Sequence, residues 1–203
     1  MGPFPHNAPK ATITADNPAG TDGFAFVEFA HPEPDTLRDL FGKMGYSHTA
    51  THKTKAIELW QQGDITYIIN NEPGSHARDF VDEHGPCAPS MGWRVVDAQH
   101  AFDHAVSKGA TPYEGPGKTM DVPAIVGIGG SLIYFIDQYY DANAYNAEFD
   151  WVADAHPVGV GFYYLDHLTH NVHKGNMDKW FKFYGDLFNF REIRFFDIAG
   201  KCT

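Results

Sequence analysis

The chain has 203 residues, of which 43% are hydrophobic and 15% aromatic, with 16 Phe and 10 Tyr. A chain of that size and composition buries a sizeable core, which excludes the disordered and fibrous classes. Its 15 basic and 26 acidic residues give a formal net charge of −11, which argues against nucleic acid and anionic membranes as partners.

Residues 1–22 hold Pro, Gly, Asn and Thr without a hydrophobic period and read as a flexible N-terminal segment, not as a signal peptide. No stretch approaches the roughly 18 apolar residues that cross a bilayer. Cys87 and Cys202 lie far apart and are expected as free thiols in a reducing, cytoplasmic compartment. Phe24 to Ala30 carries an aromatic-rich strand signal. Leu37, Leu40, Phe41 and Met44 follow at helical spacing, and Gly45 stops that helix. Three extended segments come next, 46–52, 56–62 and 64–70, with Gln62-Gly63-Asp64 as a hairpin turn.

A second unit starts after the Pro- and Gly-bearing stretch 73–90. Met91 to Asp97 reads as a strand. Ala98 to Lys108 reads as a helix with Ala101, Phe102, Ala105 and Val106 on one side and Gly109 as its stop. Strands are expected at 124–129 and 131–137. Residues 138–160 are a linker by composition. The pattern then starts a third time: 161–172 is strand-like, Met177, Trp180, Phe181, Tyr184 and Leu187 space an amphipathic helix, and 189–198 is strand-like again. Asp35 to Met44 and Asp178 to Leu187 form a weak internal repeat at an offset of 143. A single unit of this kind is too small to bury its sheet face, so the units are expected to pair.

The chain has no GxGxxG after a strand, no GxxxxGK[ST], no GxSxG and no CxxC, so nucleotide binding and disulfide chemistry lack support. It has 12 histidines. His100 and His104 lie four apart on a helix and could bind zinc, but no third ligand is suggested nearby and the pair is expected to face water. His31, His48, His52, His76 and His84 fall near element ends or in loops and are expected on the surface. The run Leu165-Asp-His-Leu-Thr-His-Asn-Val-His173 is different, because it puts three histidines, an Asp, a Thr and an Asn on one predicted strand. Alternation would put His167, Thr169, Asn171 and His173 on one face and Asp166, Leu168, His170 and Val172 on the other. His167 and His170 therefore cannot meet one metal unless the strand bulges. The bland alternative is a set of hydrogen-bonded core or surface histidines.

Asp166-His-Leu-Thr-His-Asn-Val172, the aromatic helix after it, and Leu187-Phe-Asn-Phe-Arg-Glu-Ile-Arg-Phe-Phe-Asp-Ile198 closely resemble the 4-hydroxyphenylpyruvate dioxygenase family, over about 35 uninterrupted residues. Gly23 to Phe29 and Gly45-Tyr46 agree more loosely. The resemblance implies an α+β fold of repeated βαβββ modules of the vicinal oxygen chelate type. Two modules would be complete in a metal-free N-terminal domain, 23–140, followed by a linker, 141–160. The third, truncated, would open an iron-binding catalytic domain at 161–203. It also implies one Fe(II) held by two histidines and a glutamate, with His167 as the first ligand. Thr169 would line the substrate pocket and Asp166 would be a candidate partner of the ligand. His170 matches a family position but not a ligand. The implied reaction takes a 2-oxo acid and O2 to homogentisate and CO2, with no nucleic acid or membrane partner and a homo-oligomer at full length. The remaining two ligands would lie beyond Thr203, so this stretch alone is expected to be inactive. The alternatives are 4-hydroxymandelate synthase, or a non-enzymatic binding or assembly fragment.

Overall fold

The computed structural model describes residues 9–139, 145 and 147–196. The expected free thiol of Cys202 and the last two residues of the strand expected at 189–198 lie outside that range. Among the described residues, eight strands form one mixed sheet in the order β6-β7-β5-β1-β4-β3-β2-β8. The first module is β1 (Thr21–Ala30), α1 (Pro34–Lys43), β2 (Ser47–His52), β3 (Ile57–Gln62) and β4 (Ile65–Asn70). β1 runs parallel to β4, and the antiparallel meander β4-β3-β2 continues outward from it.

The second module is β5 (Cys87–Val95), α3 (Ala98–Ser107), β6 (Ala124–Val126) and β7 (Leu132–Ile136). It repeats the pattern, with β5 parallel to β7 and β7 antiparallel to β6. Its remaining strand is reduced to one bridge, Pro112 to Ile125, flanked by Tyr113 N–H donating to Ala124 O and Val126 N–H donating to Thr111 O. Prolines at 112, 116 and 123 remove the ladder donors a longer strand would need. β1 and β5 pair antiparallel and join the modules across a pseudo-two-fold junction.

Strand alternation separates two faces. Phe26, Ile57, Leu59, Ile68, Leu132, Tyr134 and Ile136 fill the inner face. On the outer face α1 covers Phe29, Trp60, Tyr67 and Ile69 through Leu37 and Phe41. α3 covers Met91, Trp93, Ile133 and Phe135 through Ala98, Ala101 and Ala105. Small alanines let that helix approach the sheet closely. Its N-terminus is capped by Asp97, whose carboxylate accepts from His100 N–H at 2.8 Å.

Four expectations change. Within 73–90, α2 (His76–His84) forms, capped by Ser75 Oγ, and seats Ala77 and Val81 beside Ala30. In the stretch read as linker, β8 (Phe149–Trp151) adds to the edge of β2. Residues 161–173 and 189–196 form no strand; among the described residues no strand pairs with them along its backbone. The expected helix between them does form, as α4 (Met177–Phe188), ended by Asn189 in the left-handed conformation at φ +55°. Finally, His52 is buried, because Glu148 arrives from the β8 side at 3.4 Å while Nδ1 accepts from Thr54 N–H and Lys55 N–H. Residues 14–21 are held by an Asn17 turn and by Val96 N–H donating to Gly20 O. No helix among the described residues is long and apolar enough to cross a membrane.

Candidate functional site

α4 docks on the second module. Leu187 and Phe188 enter the core of α3, β5 and β7, and the Phe188 ring lies 4.3 Å from Trp93 between centroids. Phe190 stacks on Trp93 at 5.1 Å and 11°, and Tyr184 stacks on Phe190 at 5.7 Å. The extended segment 164–173 crosses the same region. Its His170 ring meets Tyr184 edge to face at 5.9 Å, and burial pushes the imidazole below its ordinary pKa. Trp93, Leu168, His170, Phe181, Tyr184 and Phe190 are among the walls of a cavity of about 610 Å³.

His167 is not among the walls of that cavity. Its side chain is 75% exposed, and Nδ1 lies 2.7 Å from the Asp166 carboxylate. Alternation along a strand would have separated these two neighbours. They meet because the segment is not held in a sheet. An imidazole that donates Nδ1–H to a carboxylate keeps Nε2 as a free lone-pair donor, the form in which a histidine ligates. Thr169 is exposed at the mouth of a second cavity of about 200 Å³, shared with Val27, Phe80, Ser90 and Asn171. Glu192 is exposed.

The described residues gather no group of three His, Cys, Asp or Glu side chains able to hold a metal ion. A single histidine beside a carboxylate is not a set of three ligands, so no catalytic step through a metal follows from this geometry. His100 and His104 do share one face of α3, with rings 6.4 Å apart. His100 Nε2 is taken up by Pro18 O at 2.9 Å, so that nitrogen is not open to a metal.

Two polar centres escaped the sequence reading. Glu28 is buried on the inner face, where Ser90 Oγ, Thr119 Oγ1 and Asn70 Nδ2 donate to its carboxylate. Gln62, also buried, reaches residues 160–162. A charged side chain between Val27 and Phe29 was the available signal for Glu28, whereas Gln62 stands between Gln61 and Gly63; their partners lie 18–100 positions away.

The two paired modules give the fold, and residues 15–150, which build them, match the family described as hydroxyphenylpyruvate dioxygenase, HPPD, N-terminal. The chain belongs to that family. The 4-hydroxyphenylpyruvate dioxygenase of Pseudomonas sp. (strain P.J. 874) is 46% identical over 194 residues, which cover 93% of this chain and 54% of that protein. With so little of the chain left out, the likeness runs through His167 whichever end it omits. Among solved structures, a xylose isomerase-like TIM barrel/4-hydroxyphenylpyruvate dioxygenase fusion protein superposes with a TM-score of 0.76 at 29% identity, over 90% of this chain and 28% of its own. A mutant 4-hydroxymandelate synthase from Streptomyces coelicolor gives a TM-score of 0.64 at 16% identity, over 83% of this chain and 52% of its own, and shares the fold alone. The chain thus spans about half the length of the dioxygenase relatives it matches.

Proposed function

We propose that this chain supplies the N-terminal half of a 4-hydroxyphenylpyruvate dioxygenase. That enzyme converts 4-hydroxyphenylpyruvate and O2 to homogentisate and CO2 in tyrosine and phenylalanine catabolism, with Fe(II) as its cofactor. The observation that carries the reading is 46% identity to a named dioxygenase, over a span that includes His167. In this reading 23–140 is the metal-free domain, 141–160 the linker and 161–203 the opening of the iron-binding domain. His167 is one iron ligand. Asp166, 2.7 Å from Nδ1, supports that role, since a carboxylate on one ring nitrogen orients a histidine whose other nitrogen faces a metal. Thr169 lines the substrate side, and the working enzyme is a cytoplasmic homo-oligomer.

The test is oxygen uptake and product analysis with 4-hydroxyphenylpyruvate, on a polypeptide that carries this chain at its relatives' length. Homogentisate is the expected product. 4-Hydroxymandelate would assign the synthase instead, and no turnover with iron present would remove the enzymatic reading. The 203-residue chain alone is expected to be inactive, because one histidine does not make a three-ligand site.

A further inference from the structure

Gln62 closes β3 at the rim of the first module, and its side chain is fully buried. A buried amide needs partners for both its oxygen and its nitrogen. Here Nε2 donates to Met44 O at 2.9 Å, in the turn after α1. Oε1 accepts from Val160 N–H at 2.6 Å and from Phe162 N–H at 3.2 Å, about a hundred positions further along the chain. Its surroundings add three more ties. Gly63 N–H donates to Pro157 O at 2.6 Å, Asp64 N–H to Tyr163 O at 3.1 Å, and Ser47 Oγ to His156 O at 2.8 Å. The fit is close on both sides. A Cβ on Gly63 would stand 2.6 Å from Tyr163 Cα, and a Cβ on Gly159 would collide with the Gln62 side chain itself.

We propose that Gln62 is a positioning residue, whose amide clasps residues 160–162 to the first module and so fixes where the His167 segment leaves the N-terminal sheet. The proposal rests on the reading of His167 as an iron ligand. His167 lies four positions after Tyr163, whose carbonyl accepts from Asp64 N–H beside the clasp, so a held 160–163 stretch keeps His167 within about 14 Å of a fixed point. Without the amide, the buried Val160 and Phe162 N–H groups lose their acceptor, and the segment is left to the Gly63–Pro157 and Asp64–Tyr163 backbone bonds and the Ser47–His156 contact. A ligand must arrive within a fraction of an ångström of its metal, so that loss of confinement is felt as affinity. Only an amide serves here. Leucine leaves two buried N–H groups unpaired, and a glutamate carboxylate keeps the acceptor but presents an oxygen to Met44 O.

The test compares wild type with Gln62→Leu and Gln62→Glu by amide hydrogen exchange on the 203-residue chain, and by iron affinity in a polypeptide of the relatives' length. In wild type the Val160 and Phe162 amides are expected to be protected. Gln62→Leu should lower their protection at least tenfold, leave Leu59 and Ile68 protected, and weaken iron binding at least tenfold. Gln62→Glu should lose less protection than Gln62→Leu at pH 7, because its carboxylate still accepts from both amides, and should recover the rest as the carboxyl is protonated and donates to Met44 O. Wild-type Val160 and Phe162 amides exchanging at free-peptide rates would overturn the proposal. So would a Gln62→Leu protein that loses their protection yet binds iron like wild type. Iron retained after His167→Ala would remove the ligand reading, and with it the purpose assigned to the clasp. It would do so with Val160 and Phe162 still protected, so the two failures are told apart.

Discussion

Replacing Glu28 by alanine should destabilise the two-module sheet by about 3 kcal/mol, a large share of the roughly 5–15 kcal/mol available to a domain. The carboxylate ties four elements together: it stands on β1 and accepts from Asn70 on β4 at 2.8 Å, from Ser90 on β5, and from Thr119 in the run before β6. Truncation strands three buried donors, each costing about 1–3 kcal/mol when unpaired. Part of that returns. The Thr119 hydroxyl lies within 3.5 Å of Tyr134 OH and of Asn70, and a desolvated carboxylate is no longer held in the core. Glu28→Gln should cost only about 1 kcal/mol, because it keeps the shape and the hydroxyls can turn to accept from the new amide. Urea denaturation is the assay, with a lowered midpoint and unchanged slope for Glu28→Ala and a much smaller shift for Glu28→Gln. Equal losses in the two variants would mean that the negative charge itself is required, and the donor-orphaning argument would fail.

Phe188→Ala should free α4 from the sheet at a cost of about 3–5 kcal/mol, because it empties a buried site against Trp93 and Phe135; altered Trp fluorescence would report it. Gly92→Ala should cost about 1–3 kcal/mol, since the new methyl would enter the ring of Phe26, its cross-strand partner, and the thermal midpoint should fall accordingly. His104 sits where α3 meets α4, and burial, Lys108 and His100 depress its pKa. A depressed histidine pKa favours the neutral form in the folded state. Its contribution is therefore present in full above the unfolded value near 6.5 and is lost as pH falls through the lower folded value. An NMR titration should find His104 below 6.5, and a raised value would refute the assignment.

How far the sequence disclosed this architecture can be judged residue by residue. α4 was legible because Met177, Trp180, Phe181, Tyr184 and Leu187 repeat at helical spacing whatever lies beside them. β1, β3, β4 and β7 were legible from dense β-branched and aromatic residues. α2 was hidden because nine residues carry only Ala77, Phe80 and Val81 as apolar contacts, between flanking glycines. β8 has three residues and no local signal; it exists because β2 offers an edge. The strand expected at 161–172 failed for the converse reason: its alternating pattern is a capacity that needs a neighbouring strand. Of the candidate site, His167 and Asp166 were legible as a motif, but their 2.7 Å contact was not, because strand alternation argued against it. Gln62 read as half of a hairpin turn, and nothing local announces a partner near residue 160.

The iron content of a polypeptide carrying this chain at its relatives' length, compared between wild type and His167→Ala, tests the central claim most directly. The account predicts near-stoichiometric iron in wild type, and iron lost in the variant while the N-terminal sheet stays folded by circular dichroism. Full iron in His167→Ala would contradict it.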